Sequence, residues 1–216
     1  MTDVTRALEQ LDEIHTRIAR TAVYRGWRSA PVALSGLAGI IAAALQRTIQ
    51  GEDAASEPRT WVLYWLAVAL VALAIGCGGI VRPYVREESL TEQRRTQQVF
   101  AQFLPSLAAA ACITVGLLRV NPALASCLPG LWSLLFGVGI FSARPHLPTA
   151  AAIVSAYYAI AGVAMLWTLG TSALPGTGIA SGFSWAVGGV FGAGQLIAAA
   201  ALYWSLERDA VFPESE

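Results

Sequence analysis

Apolar residues gather along this chain into six long runs, and polar residues gather between them. The runs are Ala30–Gln46, Trp61–Val81, Phe103–Leu118, Pro122–Ala143, Thr149–Leu169 and Gly182–Trp204, and none contains Asp, Glu, Arg, Lys or His. Crossing the roughly 30 Å hydrocarbon core of a bilayer takes about 20 helical residues. The first and third runs are shorter than the others and need flanking residues to complete a span. Inside lipid each segment must satisfy its own backbone N–H and C=O groups, so the runs read as helices. The strict alternation of a membrane barrel strand is missing. The expected fold is an all-α bundle of six transmembrane helices.

The polar segments carry patterns of their own. Over residues 2–24, Val4, Leu8, Leu11, His15, Ile18 and Ala22 recur at 3–4 spacing, which predicts an amphipathic helix. Asp3, Glu9, Asp12 and Glu13 precede Arg17 and Arg20 along it, the order a helix dipole favours. Its stripe has three possible partners: the membrane surface, the base of the bundle, or another chain. His15 on the stripe reads as a packed or partly exposed side chain. Farther on, Ser89–Glu92 in "SLTE" has capping-box spacing and should start a polar helix running to Pro105. The expected organisation is residues 1–28 as a cytoplasmic amphipathic helix, 29–209 as the bundle and 210–216 as a flexible tail. The long charged segment before the first run is unlike a cleaved signal peptide.

Between the fourth and fifth runs lies "SARPHLP". Pro cannot donate to a helix ladder but is tolerated at the first helical position. Arg144-Pro145 therefore closes one helix, Leu147-Pro148 opens the next, and His146 sits in the corner. The corner echoes "GIVRPY" at Arg82-Pro83, and the "LPS" and "LPT" openings of the third and fifth runs echo each other. Three helical hairpins related as an internal repeat are expected.

Composition agrees with a bilayer environment. The 216 residues are 56% hydrophobic and 13% charged, against about 25% charged for an ordinary soluble domain. All 14 basic residues are Arg, which fits a GC-rich bacterial source. Net charge is zero, so nucleic acid is not an expected partner. Arg placement sets the expected orientation. Arg6, Arg17, Arg20, Arg25, Arg28, Arg82, Arg86, Arg94, Arg95, Arg144 and Arg208 fall on one side, and only Arg47, Arg59 and Arg119 on the other. The positive-inside rule places both termini in the cytoplasm of a bacterial inner membrane. Arg25, Arg28, Arg82 and Arg144 lie at span ends, where a guanidinium reaches lipid phosphate. Trp27, Trp61, Trp65, Tyr203 and Trp204 also lie near span ends, where aromatic rings favour the interface.

Chemistry is sparse. No phosphate-binding glycine loop, HExxH, CxxC or GxSxG motif occurs. Neither His lies in a run, which argues against an axial haem ligand. Cys77, Cys112 and Cys127 match no metal spacing and read as small apolar residues. Intramembrane carboxylates or bases, the mark of pumps and ion-coupled transporters, are missing from the runs. No cofactor, metal or enzyme activity is expected. Small residues stand out instead. Gly188 and Gly192 lie four apart, and Gly76 and Gly79 thin the second run; such faces let helices approach closely. Gln195 is the most polar side chain deep in the sixth run. Together with Ser155, Tyr157 and Tyr158 it forms the candidate lining of a small ligand cavity.

"RGWRSAPVALSGLAGIIAAAL" (Arg25–Leu45) and "LPGLWSLLFGVGIFSARPHLP" (Leu128–Pro148) resemble a group of small bacterial six-helix membrane proteins of unassigned function. The resemblance implies a fold and no activity. Members of that group often carry a His in the last helix near a "GFG" turn. The matching stretch here, "GFSWAVGGVFG" from Gly182, has none.

The leading functional expectation is a non-enzymatic accessory or scaffold subunit working through helix–helix contacts. Its partners are membrane lipids and another membrane protein or a second copy. The alternative is a binding or transport module for an apolar or lipid-like molecule. The orientation is testable at once. A C-terminal green fluorescent protein fusion is expected to fluoresce and the matching alkaline phosphatase fusion to be inactive; the reverse pair sinks the orientation.

Overall fold

The computed structural model describes residues 29–51, 57–86, 90–170 and 182–207. Among these residues every regular element is helical. Six helices result: α1 Ser29–Gln50, α2 Pro58–Arg86, α3 Leu90–Val120, α4 Leu128–Ala143, α5 Ala151–Gly170 and α6 Gly182–Leu202. The described residues hold six helical spans long and apolar enough to cross a membrane, the fourth including the short turns that flank α4. The expected amphipathic helix at 1–28, the Ser89 cap and the 210–216 tail lie outside the described residues.

Local chemistry sets the ends. Gly51 stops α1 at φ 78°, where its N–H bonds the Arg47 carbonyl at 2.9 Å. Such a left-handed cap suits glycine, which has no Cβ to clash. Glu57 starts α2: its carboxylate accepts the Thr60 N–H at 2.6 Å and also the Thr60 hydroxyl. That hydroxyl, and then the N–H, hold the Glu57 carboxyl below its ordinary pKa range.

Two runs differ from the expectation. The polar helix ending at Pro105 and the third span are one continuous helix, Leu90–Val120, with Pro105 inside it. Proline removes one ladder hydrogen bond there, but Val99 is buried against the bundle below it and Gln102 is tied to the neighbouring corner. The polar half is thereby held in line with the span. The fourth run opens as a tight 3₁₀ turn, Pro122–Cys127, capped by Asn121 Oδ1, which accepts the Ala123 N–H at 3.1 Å. Proline at the first turn of each segment tolerates both starts.

The helices alternate in direction, so two ends can be distinguished. Gln46, Trp61, Trp65, Leu128 and Phe183 meet at one end, and Val99, Ile140, Ala143, Leu147 and Val154 toward the other. Two antiparallel pairs make the closest approach, α1 with α6 and α4 with α5. A Cβ placed on Gly188 would lie 2.5 Å from the Gly39 carbonyl oxygen, and one on Gly192 would lie 3.0 Å from that of Gly36. Across α4 and α5, a Cβ on Gly162 would lie 2.7 Å from Leu134 N and 2.8 Å from the Gly130 oxygen. Lipid tails are as apolar as leucine, so dispersion at such contacts is a main force holding helices together.

α2 is attached differently. Its first two turns bury Trp61, Val62 and Trp65, while Leu63, Leu66, Leu70, Val71 and Leu73 are exposed. About half of the α4 span is buried, against 17% for α2 and 11% for α3.

These contacts predict unequal responses to a single added methyl. Gly162→Ala meets backbone that cannot swing aside and should cost about 1–3 kcal/mol, the usual overpacking range. Gly76→Ala, with nothing within 4 Å of the new carbon, should be neutral or slightly stabilising. Unfolding midpoints in a lipid disc read both; equal midpoints would refute the close α4–α5 approach.

Candidate functional site

Polar side chains within the spans decide what the bundle can do, and the structure sorts them into three groups. The first joins α4, α5 and α6. Ser133 Oγ donates to the Tyr158 carbonyl at 2.8 Å, and Ser155 Oγ donates to the Gly137 carbonyl at 2.9 Å. Tyr157 and Tyr158 reach across to α6, where their hydroxyls donate to the Val190 and Phe191 carbonyls at 3.0 and 3.1 Å. Gly194 makes this possible: a Cβ there would lie 2.3 Å from Tyr158 Cζ. Around the buried Tyr158 ring stand Phe136, at 4.8 Å between centroids, and Phe191, at 5.4 Å, with Phe103 edge-on to Phe136. Tilted and edge-on pairs of this kind suit the aromatic quadrupole.

The second group sits at the tryptophan end. Gln46 is fully buried; its Oε1 accepts the Trp65 indole N–H at 3.1 Å, and its Nε2 donates to Gln50 Oε1 at 2.8 Å. Gln50 Nε2 donates onward to the Thr60 carbonyl at 3.1 Å, and Tyr64 donates to the Ala42 carbonyl at 2.7 Å. These bonds tie α1 to the first turns of α2. Trp132 of α4 donates to Thr114 Oγ1 of α3 at 2.8 Å. Trp61 stacks on Trp132, with 5.8 Å between centroids and 7° between planes, and so joins the two networks.

The third group is the "SARPHLP" corner. Arg144–His146 forms a short 3₁₀ turn, and Leu147 is extended at φ −108°, ψ 160°, as a residue before proline prefers. The Arg144 guanidinium lies 5.4 Å from the centre of the Phe141 ring. His146 Nε2 lies 3.2 Å from Gln102 Nε2 of α3. A neutral imidazole with its proton on Nδ1 accepts that amide N–H.

The candidate residues from the sequence fall into different places. Gly188 and Gly192 face α1, opposite Gly39 and Gly36. A Cβ on Gly76 would meet nothing within 4 Å among the described residues. Gly79 and Arg82 lie in the last turns of α2, and Arg25 and Arg28 lie outside the described residues. Tyr157, Tyr158 and Ser155 belong to the first group, but to different partners: the tyrosines to α6 and Ser155 to α4. Gln195 lies on the α1 side of α6, with its Cβ 2.9 Å from where a Gly36 Cβ would stand. Trp61 and Trp65, expected at the interface, are 0% and 4% exposed because they turn into the bundle; Trp204 is 64% exposed. Cys112 is exposed and Cys127 half-buried, both as free thiols.

Residues the sequence reading passed over do much of the joining: Gln46, Thr114, Gln102, Ser133 and Gly194. Gln46 and Gln102 closed or preceded apolar runs, and their polarity at those edges was the available signal.

Chemically, four of the intramembrane hydroxyls act as cross-helix staples. Ser133, Ser155, Tyr157 and Tyr158 each donate to a carbonyl on a neighbouring helix. Among the described residues no group of three or more His, Cys, Asp or Glu is placed to hold a metal ion. No known protein family, curated protein or solved structure matches the chain.

The Gln46–Trp65 bond is open to a double-mutant cycle. Gln46→Leu should cost about 1–3 kcal/mol by stranding a buried N–H. Adding Trp65→Phe should then cost less than it does alone, because no donor is left behind. Strict additivity in unfolding midpoints would argue against the bond.

Proposed function

We propose that this protein is a non-enzymatic accessory or scaffold subunit of the bacterial inner membrane, acting through helix–helix contacts. In this reading both termini are cytoplasmic and the bundle is built from three hairpins. The observation that carries it is the state of α2. Gly188 and Gly192 are covered by α1, so they are not the surface for a partner. Gly76 carries the same small-residue chemistry, lies beyond the buried first turns of α2, and a Cβ there would meet nothing within 4 Å among the described residues; Gly79, three positions on, falls on the same face of the helix. A helix face without Cβ atoms lets a partner helix approach backbone to backbone. The partner is another membrane protein or a second copy, with lipid covering the face otherwise.

A second reading draws on Phe103, Phe136, Tyr158 and Phe191: a binding or transport module for an apolar or lipid-like molecule. Its weakness is that the tyrosine hydroxyls are already bonded to α6 carbonyls.

The test is extraction from the native membrane in a lipid-preserving polymer disc, for the parent and for Gly76→Leu. A stoichiometric protein, or a second copy, that is lost in the variant while the bundle keeps its unfolding midpoint supports the scaffold reading. A monomer carrying one enriched lipid or small molecule, unchanged in the variant, overturns it in favour of the second reading.

A further inference from the structure

Trp61, Trp65 and Trp132 stand together at one end of the bundle, and each brings one indole N–H into the interior. Trp65 donates to Gln46 and Trp132 donates to Thr114. Trp61 is the most buried of the three, at 0% exposure, and its Nε1 has no hydrogen-bond partner. Leaving a buried donor unmet costs about 1–3 kcal/mol. The tilted Trp65 ring, 6.4 Å away between centroids, offers at most a weak N–H···π contact, which is second-order beside an oxygen acceptor.

We propose that the tryptophan end contains a binding site for one uncharged oxygen acceptor, held by the Trp61 indole N–H. The acceptor is uncharged because Trp61 clusters with the apolar Ala43, Val62, Ala125, Leu128, Phe183 and Val187, and among the described residues no Asp, Glu, Arg or His is buried. A buried anion with no cation beside it would be held far less well than a neutral oxygen. Seating the acceptor displaces partly buried neighbours such as Leu117 and Leu118, whose side chains can change rotamer. Two sources share this chemistry: a single water, which needs a few polar partners, and the ester carbonyl of a lipid.

The site is independent of the scaffold reading and is tested without it. Full-length protein carrying ¹⁵N-indole tryptophan, in discs of phosphatidylethanolamine and phosphatidylglycerol, gives one N–H resonance per ring. Trp61→Phe identifies the Trp61 signal; should that variant misfold, contacts to the stacked Trp132 ring identify it instead. A downfield, hydrogen-bonded resonance with a cross-peak to water supports the site with water as its occupant. The same shift with a cross-peak to lipid glycerol protons supports it with lipid as the occupant. An upfield resonance of an unbonded indole, with neither cross-peak, overturns the proposal.

Discussion

Helix α1 lies against helix α6 with little but backbone between them, and the closure of the bundle depends on that contact. The first and last helices of the set can meet at this distance only because Gly36, Gly39, Gly188 and Gly192 leave out the side chains that would hold them apart. Water is absent from a bilayer core, so no hydrophobic term draws helices together there. What remains is dispersion, which falls off within an ångström of contact, and hydrogen bonds. Glycine at the crossing serves the first. The α4–α5 pair repeats the device with Gly130, Gly137 and Gly162, and adds the second through Ser133 and Ser155.

The two pairs are then joined rather than merely adjacent. Tyr157 and Tyr158 leave α5 and bond to two successive carbonyls of α6. Each interhelical bond in a membrane is worth only about 0.6 kcal/mol on average, so their energy alone is modest. Their larger effect is register. A phenol 3 Å from a given carbonyl fixes how far α5 slides along α6, and the absence of a Cβ at Gly194 fixes how deep the ring enters. Bonds from Gln46 and Gln50 do the same for α1 and the start of α2.

Much of the architecture was legible from the residues, for identifiable reasons. The spans were, because an uninterrupted apolar run about 20 residues long has few other solutions. The corner at Arg144–Pro148 was, because two prolines close together leave the chain little freedom. The direction of individual side chains was harder. Gly188, Gly192 and Gln195 lie at i, i+4 and i+7, so they share one face of α6, and that face meets α1. Phe191 and Gly194 lie on the next face, which meets Tyr158. Gln195 was grouped with the tyrosines on polarity, although its helical phase sets it with the glycines. The partner of each face was beyond reach, because the register between antiparallel helices distant in sequence leaves no mark on either one alone. Trp61 and Trp65 show the same limit. Their position near a span end fits an interfacial belt, and only the placement of Gln46 and Trp132 turns them inward.

α2 and α6 make an instructive contrast, since both carry glycines inside an apolar helix. Each glycine in a helix costs about 0.8–1.0 kcal/mol relative to alanine. In α6 that cost is offset, because alanine at Gly188 or Gly192 would drive a methyl into α1. In α2, a Cβ on Gly76 or Gly78 would meet nothing within 4 Å among the described residues, so packing among those residues does not offset their cost. Two such residues leave about 2 kcal/mol unaccounted for by packing within the chain. Where helices meet in lipid, close approach is what such residues provide. Beyond its buried first turns α2 exposes Leu70, Val71 and Leu73, so Gly76 and Gly78 lie on a stretch that the glycine contacts closing the bundle do not hold.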